Sequence, residues 1–286
     1  MTTVNRLAVA LGAEVTDVDL GKPTDGMITD IGDLLIEHHV LFFPGQFLDN
    51  DRHVALGRHF GPLENHPQLK NPFLDHPEIF QLAASVGGIA DEWHTDLTFL
   101  ASPSVMSILN MVKCPPIGGD TMWANTASAY DALSEPIRDL LDGLTALHDE
   151  SPHRRADITM IHPVVRVHPV SGRRVLYVNE HFTRRIVELS AVESDVLLGF
   201  LTRWVQEPRF TVRYRWTEGT IAMWDNRCTQ HFVVNDFEGE RIIQRVTVMG
   251  DDPRGAGPRW QPHTLSRGAS TRHDAQLRHH LKAAGR

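Results

Sequence analysis

Apolar positions along the chain change their spacing, and the changes mark the elements. From Leu7 to Val18 β-branched residues mix with glycine, which predicts an early strand and turn. Ile28, Ile31, Leu34, Leu35 and His38 fall near a 3.6-residue repeat and predict a helix from Asp25 to His39. Val40 to Phe43 reads as a short buried strand stopped by Pro44-Gly45, and Asn50 to Phe60 as a second helix capped by Asn50 or Asp51. Beyond Phe60 short strands dominate, with turn signals at Gly87-Gly88, Pro115-Pro116, Gly118-Gly119, Ser171-Gly172, Glu218-Gly219 and Glu238-Gly239. That rhythm belongs to a sandwich or barrel. Two helices are expected to interrupt it, Ser128 to Leu147 and Ala191 to Val205, both packed outside the sheets.

At 286 residues an all-β unit can still be one domain. From Asp251 the character shifts: seven Lys/Arg stand against three Asp, in a Gly/Pro/Ser/Arg-rich run. We therefore divide the chain into one domain over 1–252 and a basic tail over 253–286. The tail is read as solvated and extended, with a short basic helix available from Asp274 to Ala284. A formal net charge of -8 argues against nucleic acid as partner, so an anionic ligand has to be met by local arginines. The two cysteines, Cys114 and Cys228, read as free thiols of a cytoplasmic protein, with a disulfide between them as the alternative. The first apolar run is cut by Gly12 and Glu14, which fits neither a signal peptide nor a membrane span, and no later run reaches membrane length.

His94 and Asp96 stand two residues apart in Trp93-His94-Thr95-Asp96, and on an extended backbone both project to one side. His231, just after the apolar run Thr220 to Trp224, is the third candidate ligand. Two imidazoles and a carboxylate leave open positions and suit a non-haem Fe(II) oxygenase. They equally suit a Zn(II) hydrolase with a bound water. Among 17 histidines the spacing alone does not choose. Arg241 and Arg245 lie four apart in an alternating strand, so with Ile243 and Thr247 they share a face. Arginine's planar fork suits a carboxylate or sulfonate, which leaves a non-enzymatic anion-binding sheet protein as a third reading.

At these residues the chain resembles the taurine and 2-oxoglutarate-dependent dioxygenase family. Trp93-His94-Thr95-Asp96-Leu97-Thr98-Phe99 and Trp224-Asp225-Asn226-Arg227-Cys228-Thr229-Gln230-His231 are similar to its two iron-ligand motifs. Gly118 to Trp123, His162 to Arg166, His168 to Gly172, Val178-Asn179-Glu180 and Arg241 to Arg245 stand in the family's order, and the likeness runs from about Leu7 to Asp252.

The resemblance implies a mainly β fold, a double-stranded β-helix (jelly roll) core with flanking α-helices. It implies Fe(II) held by His94, Asp96 and His231, with 2-oxoglutarate and O2 as co-substrates and succinate and CO2 as products. Arg241 and Thr121 would bind the distal carboxylate of 2-oxoglutarate. Arg245, His66, Leu97 and Phe182 would meet the substrate, and a homo-oligomer is suggested. Leu69 and Ala90 replace the tyrosine and asparagine of taurine-specific members, and the Asp149 to Ile161 segment is shorter than their lid. Groups that would hold the taurine amine are therefore missing, which favours a more hydrophobic small organic anion: an alkyl sulfonate, alkyl sulfate or related carboxylate. Asp225 with Arg227 is expected to form a structural pair, and His148, His162 and His168 are not expected to be ligands.

Overall fold

A computed structural model of the chain describes residues 2–65, 75–87, 89–263 and 272–283. Short 3-10 turns aside, the order begins β1 (Thr3–Arg6), β2 (Ala13–Thr16), α1 (Asp25–His38), β3 (Val40–Phe43), α2 (Asn50–Arg58) and β4 (Phe80–Ala83). It continues with β5 (Ser104–Lys113), β6 (Thr121–Asn125), α3 (Thr126–Asp131), α4 (Glu135–Leu141), β7 (Thr145–Glu150), β8 (Arg155–Pro163), β9 (Val165–Val167) and β10 (Arg174–Leu176). Last come β11 (Thr183–Ile186), α5 (Ala191–Val205), β12 (Thr211–Tyr214), β13 (Ile221–Asp225), β14 (Thr229–Val233), β15 (Ile242–Met249) and α6 (Arg272–Ala283). The fold is sheet-rich with helices, and no helix among the described residues is long and apolar enough to cross a membrane.

The chain divides into two compact units, the first made of Met1–Glu92, Ser104–Asn125 and Pro208–Asp251. It holds a seven-stranded sheet, β1-β2-β3-β13-β5-β15-β4, and a three-stranded sheet, β12-β6-β14. The large sheet is buried on both faces, which is why β3 is a continuous apolar run. Leu41, Phe43, Ile108, Met223, Val246 and Val248 form one face and pack with Ile31 and Leu35 of α1 and Val54 and Leu56 of α2. Val40, Phe42, Leu109, Trp224 and Ile243 form the other and meet Trp123, Val212 and Tyr214 of the small sheet. There Phe42 stacks on Tyr214 at 3.8 Å between ring centroids, and Trp123 stands edge-on to Trp224 at 5.7 Å.

The second unit comprises Trp93–Pro103, Thr126–Glu207 and Asp252–Arg286. Its sheet runs β11-β7-β8, beside the β9–β10 hairpin. Helix α5 begins at a capping box in which Ser190 and Glu193 satisfy each other's backbone N–H, and it buries Ser194, Leu198, Leu201 and Val205 along one stripe. Helix α6 is docked rather than solvated: Leu277 is buried with Leu147 and Val187, and Gln276 Nε2 donates to Asp149 Oδ2 at 2.9 Å.

Several expectations need correction. The helix expected over Ser128 to Leu147 is α3, α4 and then strand β7. Pro136 has no N–H for the carbonyl four residues back and its ring crowds that carbonyl, so a helix cannot run through it; instead it sits in the first turn of a new helix that the extended Ser134 starts, while Leu144 and Leu147 turn inward beyond Asp142-Gly143. The early strand is two, β1 and β2, paired around a turn in which Leu7 N–H reaches Gly12 O and Gly12 takes φ 96°. Helix α2 is capped by the Asp49 side chain and ends at Arg58. Both cysteines are free thiols.

Inside α2, His53 is wholly buried and its Nε2 donates to Ile108 O of β5 at 2.9 Å. Burial lowers its pKa from 6.5 to about 4. The unfolded chain therefore binds this proton first, and the neutral ring's contribution is complete above pH 6.5 and lost as pH falls toward 4. The unfolding free energy should drop across that window by roughly 3 kcal/mol from this group. Chemical denaturation of His53→Gln, which keeps a donor for Ile108 O without titrating, should show a shallower drop, and an unchanged slope would refute the assignment.

Candidate metal and anion site

On β6, Thr121, Trp123 and Asn125 point the same way, since side chains alternate along a strand. Trp123 lies in the core between the two sheets, so Thr121 shares its face. Strand β14 pairs with β6 in a register that sets His231 directly opposite Trp123, and the His231 ring lies 4.8 Å from that of Trp224. Strand β15 places Ile243 in the same core, so Arg241 before it and Arg245 after it face that way too.

Arg241 is buried, and its Nε donates to Gly119 O at 3.0 Å while Nη2 donates to Thr121 Oγ1 at 3.2 Å. Gly119 has φ 69° and leaves room for the arginine stem, where a Cβ would come within 3.2 Å of Arg241 Cδ. Thr121 Oγ1 also accepts from Trp216 Nε1 at 3.0 Å. No carboxylate among the described residues forms an ion pair with Arg241, and burial lowers its pKa to about 10, which still leaves it charged at neutral pH. A buried cation in this state calls for an anion. Arg245 lies over the Phe80 ring at 5.2 Å, its cross-strand neighbour on β4.

The His94 to Phe99 segment differs from expectation. It is a bridge residue followed by a turn from Asp96, and Leu97 takes φ 60°. Left-handed backbone costs a side chain such as leucine on the order of 1–2 kcal/mol. His94 Nε2 and Asp96 Oδ1 are 3.8 Å apart, and both residues are buried. Phe182 is buried edge-on to His94 at 6.4 Å and to Phe99 at 5.1 Å. His94 and Asp96 belong to the second unit and His231 to the first. Two imidazoles and a carboxylate are a donor set that suits a divalent first-row metal.

The Taurine catabolism dioxygenase TauD, TfdA family model matches residues 3–247. The chain belongs to the TauD, TfdA dioxygenase family. An alpha-ketoglutarate-dependent sulfate ester dioxygenase of Pseudomonas putida is 39% identical over 276 residues, covering 88% of this chain and 91% of that one. An alkylsulfatase of Acinetobacter baylyi is 35% identical over 277 residues, covering 88% and 86%. A crystal structure of a taurine dioxygenase from Burkholderia xenovorans superposes with a TM-score of 0.81 at 38% identity, covering 89% of this chain and 93% of that one. As a TauD, TfdA member the chain is an Fe(II)- and 2-oxoglutarate-dependent oxidoreductase, which displaces the hydrolase and the non-enzymatic reading.

His66 and Leu69 lie outside the described residues. The bidentate Asp225–Arg227 pair is present, at 2.8 and 2.6 Å. Sequence reasoning missed Trp216, whose bond to Thr121 spans 95 positions. It also missed the roles of Thr98, His162 and Asn179, which the family-like motifs contained without explaining, and of His148, which lies outside those motifs. Thr121→Val keeps the side-chain shape but leaves the Trp216 and Arg241 donors short of an acceptor. It should destabilise the protein by about 1–3 kcal/mol in urea unfolding, and a neutral result would contradict this bonding.

Proposed function

We propose that this enzyme hydroxylates a small sulfur-containing organic anion, an alkyl sulfate ester or alkyl sulfonate, at the carbon next to the sulfur-bearing group. The observation that carries the reading is the buried Arg241 guanidinium, held by Gly119 and Thr121, that has no carboxylate partner among the described residues. His94, Asp96 and His231 would hold Fe(II). Bound iron supplies O2 activation coupled to decarboxylation of 2-oxoglutarate to succinate and CO2. Arg241, fixed by Gly119 O and Thr121, would take the distal carboxylate of 2-oxoglutarate through its remaining donors.

Arg245 would hold the anionic end of the substrate, and thereby choose which carbon is presented. Phe182 and Leu97 would enclose its alkyl part and exclude water, and His66 would assist at the anion. A carbon that gains hydroxyl beside a sulfate oxygen breaks down to aldehyde and sulfate; beside a sulfonate it gives aldehyde and sulfite. The names of the two curated relatives support the sulfur-anion class, and the leucine and alanine at 69 and 90 support an apolar substrate over a zwitterion. We read the two facing sheets of the first unit as a double-stranded β-helix, and the region 1–252 as the catalytic domain with α6 as its appendage. A cytoplasmic homo-oligomer acting without nucleic acid or membrane completes the proposal.

A succinate-release screen over alkyl sulfates of increasing length, alkyl sulfonates, aryloxy acids and taurine tests the substrate class. Alkyl sulfates or sulfonates should be turned over best, with sulfate or sulfite released in step with succinate; turnover confined to small zwitterions would refute the proposal. Arg241→Gln should raise KM for 2-oxoglutarate by about tenfold to a hundredfold, the worth of a charge-assisted hydrogen bond, and leave the substrate's KM nearly unchanged. Arg245→Gln should do the reverse, and a swap of the two effects would exchange the roles.

A further inference from the structure

The turn that presents Asp96 is restrained by a buried polar cluster for which the proposed chemistry has no use. Leu97, adjacent to the carboxylate, is held at φ 60°, and a conformation of this kind persists only where its surroundings fix it. The restraint is visible one residue on. Thr98 is buried, and its Oγ1 accepts from Asn179 Nδ2 at 3.2 Å and meets His148 Nδ1 at 3.0 Å. The same Nδ1 lies 3.2 Å from Thr183 Oγ1, which accepts from Asn179 N–H at 2.9 Å. Both hydroxyls accept from Asn179, and Nδ1 is the ring atom that they share.

Asn179 Oδ1 in turn accepts from Phe182 N–H at 2.8 Å, which ties the cluster to the ring beside His94. At the far end of the turn, Leu100 N–H bonds Leu97 O at 3.0 Å and His162 Nε2 donates to Leu100 O at 2.9 Å. His148 and His162 come from the paired strands β7 and β8 and stand edge to face at 5.4 Å. Two strands of regular sheet thus grip a loop that has no ladder of its own.

His148 is an expensive way to fill this space. Its side chain is fully buried, and its Nε2 has no hydrogen-bond partner among the described residues. An apolar ring would avoid that penalty, so packing does not account for an imidazole here. The Nδ1 contact to Thr98 does.

We propose that His148 is a positioning residue: through the Thr98 hydroxyl its Nδ1 sets the turn in which the Asp96 carboxylate is offered to a divalent metal. This rests on the assignment of His94, Asp96 and His231 as ligands. Orienting groups of this kind commonly change metal affinity by about 10- to 100-fold when removed.

Anaerobic titration of the metal-free full-length protein with Co(II), read by its visible absorption and paired with thermal unfolding, tests the inference without any turnover. The variants are His148→Asn, His148→Gln, Thr98→Ser and Thr98→Val. Asparagine places a polar atom near the position of Nδ1, glutamine near that of Nε2, and valine keeps the shape of threonine without its hydroxyl. His148→Asn and Thr98→Ser should bind Co(II) close to wild type, while His148→Gln and Thr98→Val should be weaker by about tenfold or more and remain folded at the titration temperature. Should His148→Gln fail to fold, the Thr98 pair decides alone. Wild-type affinity in Thr98→Val and His148→Gln, or equal weakness of His148→Asn and His148→Gln, overturns the inference. Failure of the wild-type protein itself to bind Co(II) would instead overturn the ligand assignment on which it stands.

Discussion

Side-chain alternation along paired strands is the constraint on which the first unit depends. Because Trp123 and Ile243 point into the space between the two sheets, Thr121, His231, Arg241 and Arg245 must point to the same side. One face therefore packs an aromatic core around Phe42, Trp123, Tyr214 and Trp224 and also presents polar groups. A slip of one residue in β14 would turn His231 away and bring Gln230 and Phe232 to that face, so the core that holds the register also holds the chemistry. The opposite face of the large sheet rests on α1 and α2 and contributes rigidity alone.

The second unit solves a different problem. His94 and Asp96 lie on a bridge and a turn, where no hydrogen-bonded ladder dictates side-chain direction. Order is imported from neighbouring strands through buried polar side chains: Thr98 and Leu100 are met by His148 and His162, and Phe182 is fixed through Asn179. Burial lowers the pKa of both histidines, His162 to about 4, so at neutral pH they serve as uncharged hydrogen-bonding rings. The docked helix α6 adds Gln276 and Arg184 adds its Nε to Asp149, next to His148 on β7, so this strand is braced from its surroundings as well.

What could be read in the sequence follows from how local each cause is. Helices α1 and α5 and strand β3 were legible because their periodicity and caps lie within a few residues of one another. The single helix expected over Ser128 to Leu147 failed because leucines at helical spacing continue across Pro136 and Gly143, and only tertiary burial reveals that Leu147 belongs to a strand. The extended backbone expected for the His-x-Asp segment is not what forms: a bridge residue at His94 runs into a turn from Asp96 with a left-handed Leu97, which two-residue spacing does not reveal. Arg241 with Thr121 was implied by family resemblance, whereas Trp216 as their third member could not be seen from 95 residues away. The docking of α6 depends on Leu277 finding Leu147 and Val187, which charge counting in the tail does not register.

The central claim is that three donors distant in sequence meet around one ferrous ion that retains open positions for a 2-oxo acid. Anaerobic addition of Fe(II) followed by 2-oxoglutarate to the purified protein, monitored by visible absorption, addresses it directly. A weak charge-transfer band that appears only when both are present, and is absent from Asp96→Asn, is the predicted result. A protein that binds iron without any spectral response to 2-oxoglutarate, or prefers a closed tetrahedral zinc, would contradict it.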